Sequence, residues 1–129
     1  MAESKAGALS AVQAWIDAVN RHDPGGTTAA FASDASFFGT TTKALVTSSE
    51  GIQQYFEEVF AKYAPLSVEL GRVNVTELSP ESAVVSGYDQ WKVTVNGKSV
   101  ETFGRLSIAV SLREGQWRMV SFHRSTMPD

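Results

Sequence analysis

The sequence predicts one α+β domain over residues 1–129, with N-terminal helices packed on one face of an antiparallel sheet. Apolar residues recur at helical spacing as far as Tyr63. From Leu66 onward the apolar period changes to two, as in half-buried strands. Asn96-Gly97 and Glu114-Gly115 then divide the alternating region at points suited to tight hairpin turns.

Leu9, Val12, Ile16 and Val19, with Trp15 beside them, form one face of an amphipathic helix, and Gln13, Asp17 and Asn20 form the other. The helix ends near Arg21-His22. Asp23-Pro24 offers an N-cap and a first-turn proline for a short second helix through Phe31. Ala35 to Phe38 reads as a short strand. Thr47 and Glu50 stand at capping-box spacing before Ile52, Tyr55, Phe56, Val59, Phe60 and Tyr63, which fit the i, i+3, i+4, i+7 pattern of a third helix. Val73, Val75 and Glu77 alternate with Asn74 and Thr76 in the next strand. Ser79-Pro80-Glu81-Ser82 is a turn, followed by strands over 83–95, 98–113 and 116–126.

Composition narrows the functional classes. A net charge of −3 gives no basic patch for nucleic acid. No apolar stretch is long enough to span a bilayer, so no membrane partner is expected. The chain has no cysteine, which excludes disulfides and thiolate chemistry and fits a cytoplasmic protein. Its start shows no basic stretch running into an apolar one, so no secretory signal is read there. The two histidines, His22 and His123, lack metal-ligand spacing, and no glycine-rich phosphate loop is present. No metal and no cofactor is therefore expected.

Two-residue turns would fix the cross-strand register. Lys92 would face Glu101, Val93 would face Val100 and Tyr88 would face Arg105, with the charge pair and the valine pair in support. In the next hairpin Leu112 would face Trp117, Val110 Met119, Leu106 His123 and Arg105 Arg124. One sheet face would then carry Leu106, Ile108, Val110, Leu112, Trp117, Met119 and His123. The other would carry Tyr88, Phe103, Arg105, Phe122 and Arg124. Opposed arginines destabilise a sheet unless water, a carboxylate or a bound anion lies between them. They are either two solvated side chains or the floor of an anion pocket with aromatic walls. A β-bulge would exchange the faces.

The chain resembles the nuclear transport factor 2-like superfamily, also called SnoaL-like, whose fold is a cystatin-like cone. Val12 to Asp23 looks like its first helix and exit, and Phe31 to Phe37 looks like the approach to its first strand. Gly115-Gln116-Trp117, then Phe122-His123-Arg124-Ser125 and Pro128, look like the association (hub) domain of calcium/calmodulin-dependent kinase II and its stand-alone bacterial relatives. The resemblance implies a homodimer formed through the outer sheet face, with Trp117 at the contact, and a pocket between sheet and helices. Arg124 matches a hub pocket arginine. Other hub pocket arginines fall on Ile108 and near Asp89, and Arg105 could substitute for one of them only in a shifted register.

Ketosteroid isomerase shares this fold and needs a carboxylate base with a tyrosine and a protonated aspartate as donors. Matching its first helix to this one puts Trp15 at the tyrosine, with Gly39 and Gly104 near the other two positions, so that chemistry is not expected. Three readings remain open. The first is a homodimer binding a small, partly apolar anionic ligand among Trp15, Tyr55, Tyr88, Phe103, Arg105, Phe122 and Arg124. The second is an isomerase, cyclase or dehydratase using His123 with Asp89 as catalytic pair. The third is a hub-like oligomerisation module.

Overall fold

A computed structural model describes residues 2–129. In chain order the elements are α1 (Ala2–Asn20), α2 (Pro24–Ala29), β1 (Phe31–Phe38), α3 (Ser49–Tyr63), β2 (Ser67–Ser79), β3 (Ser82–Val95), β4 (Lys98–Arg113) and β5 (Gln116–Thr126). The strands form one sheet in the order β1-β5-β4-β3-β2. Strands β2 to β5 are antiparallel neighbours, but β1 joins β5 in parallel, so the sheet is mixed rather than wholly antiparallel. Among the described residues no helix is long and apolar enough to cross a membrane.

Local chemistry explains the helix boundaries. His22, at φ 54°, closes α1 in the left-handed region: its N–H bonds Val19 O at 2.9 Å and the Asp23 N–H bonds Ala18 O at 3.1 Å. This is the Schellman arrangement, with histidine where glycine is usual. The His22 ring also pairs with Leu66 O at 3.0 Å, which ties the helix exit to the chain leading into β2. Asp23 caps α2 by accepting from the Gly26 N–H at 3.0 Å. The α2 helix stops at Ala29, and the residues from Phe31 belong to β1, a longer strand than the periodicity alone suggested. The cap of α3 is Ser48, which accepts from the Gly51 N–H at 3.0 Å, one residue later than the expected Thr47 box. Asn20 also pairs with both the N–H and the carbonyl of Val68, at 2.7 and 3.0 Å, and so covers part of the edge strand β2.

Both hairpins turn at the expected residues, with Val95 facing Lys98 and Arg113 facing Gln116. In β3 and β4, Lys92 faces Glu101, Val93 faces Val100 and Tyr88 faces Arg105, as read from the sequence. The β4–β5 ladder matches through Leu112–Trp117 and Val110–Met119 and then breaks. Val120 is an extra residue on β5, so Ala109 faces Ser121, Leu106 faces Arg124 and Arg105 faces Ser125. The expected Leu106–His123 and Arg105–Arg124 pairs do not form. The bulge sends Phe122 and Arg124 to the core face and His123 to the outer face.

The core lies between the inner sheet face and the helices. Trp15, Phe37, Phe56 and Phe122 pack edge-on or stacked, with ring centres 4.9–6.2 Å apart in the pairs Trp15–Phe56, Trp15–Phe122, Phe37–Phe56 and Phe37–Phe122. Trp117 belongs to this inner side, with its ring against Gly7 of α1, and not to the outer sheet.

Candidate functional site

A cavity of about 240 Å³ opens between α1, α3, the residues after β1 and the far ends of β3 to β5. Trp15 supplies its α1 wall, and Tyr55, Phe56, Val59 and Tyr63 supply α3. The sheet contributes Trp91 and Val93 from β3, Val100 and Thr102 from β4, and Phe122 and Arg124 from β5. Gly39, Thr40 and Thr41 complete the rim. Alternation explains this wall: Trp91 and Val93 share the inward phase of β3 with Ala83, Val85 and Asp89.

Arg124 is the cationic side chain of the cavity wall. It is buried, and its counter-ion is Asp89 on the same sheet face. Arg124 Nε lies 2.8 Å from Asp89 Oδ2 and Nη2 lies 2.8 Å from Oδ1, a bidentate pair. Trp91 Nε1 donates to Asp89 Oδ2 at 2.9 Å, and the Trp91 ring lies 5.4 Å from the guanidinium carbon. Arg124 Nη1 donates to Thr40 Oγ1 at 3.1 Å and so links β5 to the rim. Gly104 makes room for this cluster. It stands opposite Asp89, and a Cβ there would come within 2.4 Å of Arg124 Nε and Nη2. The bonds to Asp89 and Thr40 engage Nε and one N–H on each terminal nitrogen, which leaves a second N–H on each.

Tyr55 Oη accepts from the Thr41 N–H at 3.3 Å, so its hydroxyl proton is available to a further partner. Trp15 has no exposed surface, and its Nε1 is the buried side-chain polar atom left without a partner among the described residues. A buried donor in that state costs about 1–3 kcal/mol.

Of the residues expected to form a pocket, Trp15, Tyr55, Phe122 and Arg124 come together here. Tyr88, Phe103 and Arg105 do not; they are exposed on the outer sheet face, where Arg105 Nε donates to Ser125 Oγ at 3.2 Å. The reason is the Val120 bulge, which separates the two arginines onto opposite faces and removes the expected anion clamp. The same bulge separates the expected catalytic pair. His123 is exposed on the outer face beside Phe38, with ring centres 5.3 Å apart, whereas Asp89 is buried on the inner face. Asp89 is already covered by donors from Arg124 and Trp91, so His123 and Asp89 form no couple.

Trp91, Thr40, Gly104 and Thr102 were not assigned to the pocket from the sequence. An inward carboxylate between apolar neighbours on β3 was the clue to the first of these, since such a group needs buried donors.

The comparisons agree with this architecture. No curated protein matches the chain. A protein of Xanthomonas campestris, provisionally described as a calcium/calmodulin-dependent protein kinase II association domain, is similar over 94% of this chain and 86% of its own, at 26% identity and TM-score 0.86. A cystatin-like-fold protein of Caulobacter vibrioides aligns over 98% and 91% at 18% identity and TM-score 0.84. A ketosteroid isomerase-like protein of Erwinia carotovora atroseptica aligns over all of both chains at 16% identity and TM-score 0.85; these last two bear on the fold alone. The SnoaL-like domain family matches residues 8–129, and the chain therefore belongs to the SnoaL-like family, with the nuclear transport factor 2-like fold.

Proposed function

We propose that this protein binds a small, largely apolar molecule in the cavity, with one hydrogen-bond-accepting group directed at Arg124. The observation that carries the reading is the composition of the wall: aromatic and aliphatic side chains around one anchored guanidinium with N–H groups to spare. The ligand expected from the sequence was anionic. Asp89 already compensates the Arg124 charge and Arg105 lies elsewhere, so the acceptor need not carry charge. A naphthyl ketone is a suitable probe. Calorimetric titration of 2-acetylnaphthalene is expected to give binding to the wild-type chain. Thr102→Phe, which places a ring in the cavity, is expected to weaken binding tenfold or more. Equal affinity in both proteins would place the site elsewhere.

We further propose that two copies associate through the outer sheet face. Phe38, Tyr88 and Phe103 are 41%, 46% and 50% exposed there, an apolar exposure that a partner would cover. Light scattering tests this, and a monomer at micromolar concentration would contradict it.

A further inference from the structure

We infer that residues 39–45 are a gate to the cavity, latched by two of the cavity's own polar side chains, Arg124 and Tyr55. The latch stands on hydrogen bonds of the protein alone; the passage of a ligand past it rests on the cavity-binding reading above. The gate has a fixed base. Phe37 and Val46 exchange both backbone hydrogen bonds, each at 2.9 Å, and so close the segment into a loop. Phe37 is buried in the core. Val46 packs so tightly against Gly51 of α3 that a Cβ there would come within 2.7 Å of Val46 Cγ1. The loop can therefore swing without moving either β1 or α3.

Above that base the attachments are few. Thr40 Oγ1 accepts from Arg124 Nη1 at 3.1 Å, and the Thr41 N–H donates to Tyr55 Oη at 3.3 Å. Gly39 lies so close to Tyr55 that a Cβ would stand 2.4 Å from its ring. Among the described residues no other hydrogen bond holds residues 39–45. Residues 40–45 are exposed, and Leu45 is 50% exposed although apolar. A surface segment with so few contacts opens at a small fraction of the cost of unfolding.

Opening acts on the cavity directly. Gly39, Thr40 and Thr41 are wall residues, and behind them Tyr55 and Arg124 are only 9% and 8% exposed. Lifting the loop uncovers both. Arg124 itself stays in place, because Nε and Nη2 remain on Asp89. A molecule seated against Arg124 and Tyr55 touches the two groups that hold the loop shut, so closure and binding favour each other.

The experiment measures amide hydrogen exchange, and release of 2-acetylnaphthalene by stopped-flow fluorescence, in the wild type, Thr40→Val and Gly39→Ala. Valine keeps the shape of threonine and removes the acceptor for Arg124. Alanine at position 39 pushes the loop off the Tyr55 ring. In each variant the Thr41 amide should exchange about tenfold faster or more, with the amides of β4 unchanged. Ketone release should quicken by a similar factor. Affinity should change less than the rate, because an open state that stays in the minority speeds entry as well as exit.

Exchange that rises equally in the Thr41 amide and in β4 overturns the inference, since Thr40 and Gly39 would then serve the whole fold. An unchanged Thr41 amide overturns the latch. Faster loop exchange with unchanged ketone release overturns the gate and leaves the cavity reading standing. Failure of the ketone to bind the wild type overturns the cavity reading and the gate with it, while the exchange rates still decide the latch.

Discussion

Replacing Asp89 with asparagine removes the carboxylate against which Arg124 is buried. The side chains are 0% and 8% exposed, so water does little to screen the remaining guanidinium. Asparagine keeps the shape of aspartate but turns one oxygen into a donor, and that donor must face Arg124 or Trp91, which are donors already. Breaking a buried pair by removing one partner costs about 3–5 kcal/mol. Whole domains are stable by about 5–15 kcal/mol, so the variant should remain folded but fragile. For a chain of 129 residues, each kcal/mol moves Tm by about 3–5 °C, which gives a fall of about 9–25 °C. Urea unfolding should show the loss as a lower midpoint at constant slope. The double replacement Asp89→Leu with Arg124→Met should recover part of it, because an apolar pair needs no charge compensation, while the Trp91 N–H loses its acceptor. A loss below about 1 kcal/mol in Asp89→Asn, or additive effects in the double variant, would refute the picture of a closed, dry pair.

Other perturbations separate the two faces of the sheet. Gly104→Ala puts a Cβ within 2.4 Å of Arg124 Nε and Nη2. It should force the guanidinium off Asp89, destabilising the protein by an amount that does not add to that of Asp89→Asn in urea melts. His123→Ala should leave stability within about 0.5 kcal/mol and leave ketone affinity unchanged by calorimetry, because the imidazole is exposed away from the cavity. Tyr88→Glu combined with Phe103→Glu should convert a dimer to monomers by light scattering, with the circular dichroism of the fold retained, since like charges would then face each other across the contact.

The turns made most of the fold legible. Asn96 and Gly97 both take positive φ, at 52° and 77°, and a two-residue turn of that kind fixes the β3–β4 register through Tyr88–Arg105. Glu114 and Gly115 do the same for β4–β5 as far as Val110–Met119. Beyond that point the register depends on distant contacts. The Met119 N–H bonds Ala30 O at 2.9 Å, and β1 changes its own register on β5 between Phe31 and Ser36. The bulge at Val120 thus lies beside contacts from Ala30, between α2 and β1, and from β1 itself, and neither glycine nor proline marks it in the sequence.

The unbulged register did carry a sign of its own failure. It set Arg105 opposite Arg124, a like-charge pair that a sheet avoids. The bulge gives Arg124 to Asp89 and Arg105 to Ser125. That single slip accounts for the misplacement of His123, Tyr88, Phe103 and Arg105. Trp15, Tyr55 and Arg124 were recoverable from helix phase and from the resemblance, because neither depends on the ladder beyond Met119. Trp117 was misplaced for a different reason: its phase was right, but the face it occupies was taken for the outer one.

The most direct test of the cavity as a ligand site is a crystal structure of the protein with 2-acetylnaphthalene. The naphthyl group should lie between α3 and the ends of β3 and β4, with its ketone oxygen within hydrogen-bond distance of an Arg124 N–H. A probe seated on the outer face beside Tyr88 and Arg105, or an empty cavity at saturating ketone, would contradict it.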